Sequence, residues 1–343
     1  MEYALSFRSV FLSALVFFLA FVGAATPLAA QGESLPANLK SLKSAYRREP
    51  ARPIENAALV DLGRELFWDP AISASGTTSC GSCHLPQFGW ATSDARSKGD
   101  SGRLTSRKSQ TLIGIGHAAP PFGWDGRNAT LEAQAVSSIG TGSMSMFQTK
   151  TEVKVEDIVD RIRVSKTYPA KFREALPTAP INLDAIVIAL AAFERTIEPA
   201  QAPFDRWIGG DEQAMSTAAK RGFVLFNGKA NCAGCHGGWR LTDDQFHDIG
   251  TSTTDRGRGR DIKDDELMQF AFKTPTLRSI AARAPYMHNG SQATLHDVVK
   301  HYATGGIDRP SRSPLLQPLD LSEQEQNDLV AFMLTFSGEP SVQ

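Results

Sequence analysis

The chain has 343 residues, with 36 Lys and Arg against 37 Asp and Glu, a formal net charge of −1. Without a basic excess there is no electrostatic footprint for nucleic acid, which is excluded as a partner. The length is sufficient for two domains.

From the N-terminus, Arg8 precedes an apolar run from Phe11 to about Ala25, and small residues follow to Ala29-Ala30-Gln31. This is the pattern of a secretory signal peptide over residues 1–30, cleaved near Ala30. The run, of roughly 15 residues, is shorter than the ~20 a membrane-spanning helix needs. No later stretch is apolar enough to span, so stable membrane insertion is not expected. Leu62-Gly63-Arg64-Glu65-Leu66-Phe67 carries apolar residues at helical spacing and leads into Cys80-Gly81-Ser82-Cys83-His84. Val155 to Leu176 and Ile181 to Thr196 read as two further helices, separated by Pro177 and Pro180 and ended before Pro199. Lys220-Arg221-Gly222-Phe223-Val224-Leu225-Phe226 then repeats the first helix and leads into Cys232-Ala233-Gly234-Cys235-His236.

Arg256-Gly257-Arg258-Gly259-Arg260 reads as a docking patch for an acidic partner, as contacts to cofactor carboxylates, or as a solvated loop. Asp264-Asp265-Glu266 reads as a solvated helix start. The last helix begins after Ser322, its N-cap, and runs through Leu329, Phe332 and Leu334 to Gly338, its apolar face turned to the helix before the second cysteine pair. Strand signals are few, so the expected fold is mainly α with long loops.

Four cysteines in an exported chain ordinarily make two disulfides. Here both pairs are C-x-x-C-H. In that motif the two thiols add across the vinyl groups of haem, and the adjacent histidine becomes the proximal iron ligand. A redox dithiol or half of a zinc site explains neither the histidine after both second cysteines nor the absence of a leftover cysteine. The motifs therefore predict two covalent haem c groups, attached through Cys80 and Cys83 and through Cys232 and Cys235, with His84 and His236 on the irons. Two cytochrome c-like domains are expected, over residues 31–205 and 206–343, each enclosing one haem. The porphyrin replaces much of the side-chain core, which accommodates loops that would be suspect in an ordinary domain.

Around these motifs, the stretches Leu62 to Asp69, Phe122-Gly123-Trp124-Asp125-Gly126-Arg127, Leu131-Glu132-Ala133-Gln134, Thr242-Asp243 with Phe246 to Gly250, Phe272 to Arg278 and Ala284 to Gly290 follow an order that resembles one family. It is that of the bacterial dihaem cytochrome c peroxidases and their MauG relatives, and the resemblance covers nearly all of the chain after residue 30. It implies a periplasmic enzyme in which hydrogen peroxide reacts at the haem held by His84 to give a high-valent haem state. That state would oxidise a residue of a partner protein or another electron donor. Two alternatives stand beside it: peroxide detoxification fed by a small cytochrome or copper protein, and a dihaem electron carrier with no enzymatic activity.

The resemblance also assigns residues. Where the peroxidases close the C-terminal haem with a methionine, this chain has Tyr302, as does the MauG branch. A phenolate stabilises the higher oxidation states of iron, whereas a thioether favours Fe(II). The alternative is a buried structural tyrosine, with His301, Met287 or Met268 as ligand. Trp124 matches a tryptophan between the haems and reads as an electron relay or as an aromatic packing residue. No histidine lies between His84 and His117, so the sixth position of the N-terminal iron is read as open. His117 itself reads as a hydrogen-bonded loop residue, a distal acid/base group or a sixth ligand.

Gln134 matches a glutamine that orients peroxide, but the family's glutamate about ten residues later, the proton shuttle, is missing from Ser138 to Met146. His117 or an ordered water would have to substitute, and Met144 and Met146 read as pocket walls. The family also holds a calcium ion between the haems through an asparagine and backbone carbonyls, including that of the residue matching Pro285. Lys108 stands at the asparagine's place, where an ammonium repels Ca²⁺ and can occupy its position.

Overall fold

The structure, a computed structural model, describes residues 39–145 and 153–338. The expected signal peptide and Met146 lie outside the described residues. Helices α1 (Leu39–Ser44), α2 (Ala57–Trp68), α3 (Leu131–Gly140), α4 (Val155–Arg163), α5 (Tyr168–Ala175) and α6 (Leu183–Glu194) come first. They are followed by α7 (Pro203–Ile208), α8 (Thr217–Asn227), α9 (Ala233–His236), α10 (Leu295–Thr304) and α11 (Glu323–Leu334). The sheet among the described residues is one antiparallel pair, β1 (Phe246–His247) and β2 (Phe272–Lys273), with Phe246 opposite Lys273 and His247 opposite Phe272. The fold is mainly helical with long loops, as the sequence implies.

Two helix crossings organise the chain, and they are built alike. In the first, α2 starts where the Asn56 side chain accepts from the Leu59 amide at 3.0 Å, satisfying one orphan donor of the first turn. It lies on α6, whose residues Ala185, Ile186, Val187, Ala189, Leu190, Ala191 and Phe193 are all buried, as in a helix covered on most sides. Contact is backbone to backbone at Gly63: a Cβ there would overlap the carbonyl oxygen of Ala189 and come within 3.0 Å of the Phe193 Cβ. In the second, α8 lies on α11, and a Cβ on Gly222 would overlap the Asp328 carbonyl and come within 2.7 Å of the Phe332 Cβ. Ser322 caps α11 by accepting from the Glu325 amide, and the Glu325 carboxylate accepts from the Ser322 amide at 2.8 Å, a reciprocal capping box.

Each crossing carries its own apolar cluster. Leu62, Leu66, Phe67, Ile186, Leu190 and Phe193 belong to the first. The second is aromatic, with Phe204, Trp207, Phe223, Phe226, Phe332 and Phe336. Its rings meet edge-on, Phe226 to Phe332 at 5.2 Å between centroids and Phe332 to Phe336 at 4.7 Å, the arrangement that the ring quadrupole favours.

Two expectations need correction. The helix expected over Val155 to Leu176 is two helices, because α4 ends at Arg163 and α5 starts anew at Tyr168 with Pro169 in its first turn. A proline lacks the amide an interior turn requires but is tolerated where that amide has no partner, so the helix has to restart there. The last helix ends at Leu334 rather than reaching Gly338, its end tightened by bonds from the Thr335 and Phe336 amides to the Phe332 and Met333 carbonyls at 2.9 and 3.2 Å.

A second internal repeat, with Pro, Gly, Ala, Thr and Leu shared at matching positions, has the same backbone in both copies. Pro121 to Leu131 and Pro285 to Leu295 each make a tight antiparallel bridge that runs into a helix, Phe122 opposite Asn128 in one copy and Tyr286 opposite Gln292 in the other. The bridges close with N–H···O bonds of 2.6 Å from Phe122 to Asn128 and from Tyr286 to Gln292. Matching positions take left-handed backbone, Gly123 with Met287 at φ +88° and +72°, and Gly126 with Gly290 at +65° and +68°. Thr130 and Thr294 cap α3 and α10 in the same way.

The crossing at Gly222 generates a prediction. Gly222→Val should destabilise the protein by about 1–3 kcal/mol or more, the scale of overpacking, because neither helix backbone can yield. Thermal denaturation followed by far-UV circular dichroism checks it; an unchanged melting temperature would refute the backbone contact.

Candidate haem sites and the segment between them

Around the second cysteine pair, one turn of helix places the reactive groups on a common face. The His236 amide donates to the Cys232 carbonyl at 2.8 Å, which turns the two thiols and the imidazole toward a cavity of about 430 Å³. The His236 Nδ1 donates to the Leu241 carbonyl at 2.9 Å, leaving the Nε2 lone pair free as a ligand. Burial lowers the pKa of His236, which favours this neutral form. The first motif repeats the device: the His84 amide bonds the Cys80 carbonyl at 3.1 Å, His84 Nδ1 bonds the Trp90 carbonyl at 3.1 Å, and burial again pushes the imidazole toward neutrality.

The thiols do not suit a redox dithiol. Burial pushes Cys80 well above the ordinary thiol range and Cys232 up to about 12, the opposite of the lowered pKa of reactive C-x-x-C pairs. Cys235 lies near Asp243 and His247, the spacing of a three-donor metal cluster. His247 is engaged there, however, by Asp243 at 2.8 Å on one nitrogen and by Ser313 at 3.3 Å on the other.

The cavity beside Cys232 and Cys235 fits a haem. It is mostly apolar, with Phe226, Leu277, Val299 and Leu329 in its wall, and two further wall residues carry a buried polar atom without a hydrogen-bond partner among the described residues, Arg283 Nε and His288 Nε2. Burial pulls the Arg283 pKa down to about 10, so an anionic group such as a haem carboxylate would be welcome beside it. Of the sixth-ligand candidates, Tyr302 and Met287 line this cavity. His301 instead bonds the Ile249 carbonyl at 2.8 Å through Nε2, and neither it nor Met268 is in the cavity wall. Burial, with Cys235 and Cys232 nearby, pushes the Tyr302 hydroxyl well above its usual pKa. Ionisation of Tyr302 therefore calls for a cation at its oxygen, which the ferric iron of a haem held in this cavity would supply.

At the first site Phe67, Trp90 and Phe193 form an edge-on aromatic group next to His84, with Phe67 to His84 at 6.5 Å. Gln134 sits on α3 with a fixed carboxamide: its oxygen accepts from Asn128 Nδ2 at 2.6 Å, and its Nε2 donates to Ser138 Oγ at 3.5 Å. Met144 is buried in the first apolar cluster, and its amide bonds the Ser138 carbonyl at 3.0 Å. His117 is held elsewhere, bonded through Nε2 to Glu198 at 2.8 Å and edge-on to Trp239 at 4.9 Å. Its partners are thus separate from the Gln134 network, and they match the hydrogen-bonded loop reading instead of the acid/base or ligand ones.

Trp124 stands where the two halves meet. It lines the cavity beside Cys232 and Cys235, its Nε1 donates to the Lys108 carbonyl at 2.8 Å, and its own carbonyl accepts from the Lys273 amide at 2.8 Å. The Lys108 amide in turn bonds the His288 carbonyl at 2.8 Å. Lys108 is 5% exposed, and its ammonium donates to the backbone carbonyls of Thr92 and Asp94. Burial and the nearby Arg283 pull its pKa down to about 8.

Sequence reasoning missed Arg107, whose guanidinium reaches Asp125 at 2.6 Å and Asp255 at 2.7 and 2.8 Å. Burial would raise the Asp125 pKa, but Arg127 and Arg107 outweigh it and hold the carboxyl at about 2. It also missed His288, stacked on Phe272 at 3.6 Å, for which the alignment of His288 with Trp124 in the second repeat is the available signal. Within the Arg256–Arg260 stretch, Arg258 is drawn in and donates to the Asp125 and Gly126 carbonyls, while Arg256 and Arg260 stay exposed, bonded to Gln269 and paired with Asp255.

Among the described residues no helix is long and apolar enough to cross a membrane. Residues 57–213 match the family model for di-haem cytochrome c peroxidase, and residues 219–337 match that for cytochrome c. The methylamine utilization protein MauG of Methylorubrum extorquens is 40% identical over 327 residues, covering 93% of this chain and 90% of the relative. Cytochrome-c peroxidase IdrP1 of Denitromonas iodatirespirans is 34% identical over 331 residues, covering 84% of each chain. The crystal structure of a MauG-like protein associated with microbial copper homeostasis superposes with a TM-score of 0.76 at 30% identity, covering 86% of this chain and 94% of the other. This chain belongs to the MauG and di-haem cytochrome c peroxidase family: it is a haem-dependent, peroxide-using oxidoreductase carrying two haem c groups.

Proposed function

We propose that this protein is a periplasmic MauG-like oxidase that spends the oxidising power of hydrogen peroxide on a residue of a partner protein or on a donor at its surface. The observation that carries the reading is the placement of Trp124 and Tyr302 in the wall of one cavity with Cys232, Cys235 and His236. In this reading Cys80 and Cys83 tether the peroxide-reactive haem with His84 as its ligand. Cys232 and Cys235 tether the second, between His236 and Tyr302. Bound there, haem supplies the redox chemistry that no side chain can.

The chain's own residues then divide the work. His84 and His236 present Nε2 because their Nδ1 protons are committed to backbone carbonyls. Gln134, its carboxamide fixed by Asn128, orients the entering peroxide. Trp124 relays electrons between the two sites, and the Lys108 carbonyl on its indole N–H keeps the ring in place. Tyr302, an anionic oxygen donor, stabilises the oxidised forms that a methionine would disfavour. His117 is left as a structural residue that ties its loop to Glu198.

Calcium is not required in this reading. The Lys108 ammonium already satisfies the Thr92 and Asp94 carbonyls, and its charge opposes a divalent ion. The second reading, peroxide detoxification fed by a small cytochrome or copper protein, draws on the relatives named cytochrome-c peroxidases; rapid steady-state turnover with such a donor would select it.

Low-temperature EPR of the resting ferric protein should show one high-spin and one low-spin haem. Tyr302→Met should change only the low-spin signal and raise that haem's potential; two low-spin signals indifferent to Tyr302 would overturn the ligand assignment. Mixing with stoichiometric peroxide should give an oxidised intermediate that lasts for seconds, and Trp124→Phe should shorten its life at least roughly tenfold, the equivalent of ~1.4 kcal/mol on a barrier. Elemental analysis of the haem-loaded protein after dialysis against calcium should find iron without stoichiometric calcium, whereas one tightly held calcium per chain would refute the role given to Lys108.

A further inference from the structure

The second internal repeat identifies a residue that no motif singles out. In α10 the residues turned to the haem cavity include Val298, Val299 and Tyr302. Thr294 caps that helix, so Val298 and Tyr302 are the fourth and eighth residues after the cap. Thr130 caps α3 in the same way, and the fourth and eighth residues after it are Gln134 and Ser138. Ser138 therefore holds, in the repeat, the position that Tyr302 holds in the wall of the second cavity.

We infer that Ser138 faces the sixth coordination position of the haem held by His84, keeps it open, and passes a proton between the two oxygens of bound peroxide. A seryl side chain is several ångströms shorter than a tyrosyl one, so the position that Tyr302 closes in one half stays accessible in the other. The hydroxyl is already oriented: Gln134 Nε2 donates to Ser138 Oγ at 3.5 Å, while Gln134 Oε1 is held by Asn128 at 2.6 Å, and Asn128 Oδ1 by Ser137 Oγ at 2.6 Å. With Oγ accepting from Gln134, the seryl proton is free to point outward.

With haem held there, Ser138 would take a proton from one peroxide oxygen as it gives its own to the other; the O–O bond would break, the doubly protonated oxygen would leave as water, and the haems would supply the two electrons. The proton count of Ser138 is unchanged, so a hydroxyl suffices where the stretch from Ser138 to Ser145 offers no carboxylate.

This inference rests on the reading that the His84 haem is the peroxide-reactive one, and the test separates the two. EPR of the wild-type dihaem protein comes first: a high-spin signal upholds that reading, and a low-spin signal from both haems overturns it together with the inference. Ser138→Met should then convert the high-spin haem to low-spin by ligation and abolish azide binding to it. Ser138→Ala should keep the high-spin signal but react with peroxide at least roughly tenfold more slowly and lose the solvent deuterium isotope effect, and Ser138→Thr should restore both. A Ser138→Met protein that stays high-spin and binds azide, or a Ser138→Ala protein with wild-type rate and isotope effect, would overturn the inference while leaving the wild-type assignment intact.

Discussion

Three backbone-anchored hydrogen bonds at Trp124 and Lys108 hold the functional geometry together. The indole of Trp124 is bonded to the Lys108 carbonyl, the Lys108 amide to the His288 carbonyl, and the Trp124 carbonyl to the Lys273 amide. Each bond uses a main-chain group, so it persists whatever the neighbouring side chains do. Because Trp124 precedes α3 in one repeat and His288 precedes α10 in the other, the same bonds set these two helices relative to each other. A displacement of one would be felt by both candidate sites.

Charge reinforces this junction at some cost. Arg107 bridges Asp125 and Asp255, Arg258 holds the Asp125 and Gly126 carbonyls, and the Lys108 and Lys273 ammonium groups are buried against backbone oxygens. Desolvating such groups is unfavourable unless every donor finds an acceptor, and replacing a buried ion pair with apolar side chains is often neutral or stabilising. What this network supplies is a defined register between these segments, with Arg107 and Arg258 also lying over the Phe272 and Phe246 rings. A junction of this kind suits the relay role proposed for Trp124, because it holds the indole in one orientation.

The helix crossings work differently. At Gly63 and Gly222 the absence of a Cβ brings two backbones into contact, and aromatic or aliphatic side chains around the contact fill the remaining space. These crossings hold the start of each cysteine segment. The single turn from Cys80 to His84, or from Cys232 to His236, then needs only one hydrogen bond from imidazole Nδ1 to a carbonyl to aim the ligand nitrogen. Local chain chemistry and a rigid helix pair together make the same ligand arrangement twice.

Much of this was legible in the sequence because the governing interactions are local. Five consecutive residues define C-x-x-C-H, helical spacing around Gly63 and Gly222 marks the flanking helices, and Ser322 with Glu325 marks a capping box. Asn56, Ser216 and Thr294 act as caps for the same local reason. The break between α4 and α5 was also local, at Pro169, yet it was outweighed by the apolar periodicity on either side. Tertiary structure alone decided which long-range partners each polar group met: that His117 belongs to Glu198, that His301 is bonded to Ile249 rather than facing the cavity, and that Arg258 clamps the turn after Trp124. The second repeat was also legible in its shared Pro, Gly, Ala, Thr and Leu, but only the matching bridges and caps showed that the two copies fold alike, because backbone geometry rests on hydrogen bonds that a pattern of residue types does not record.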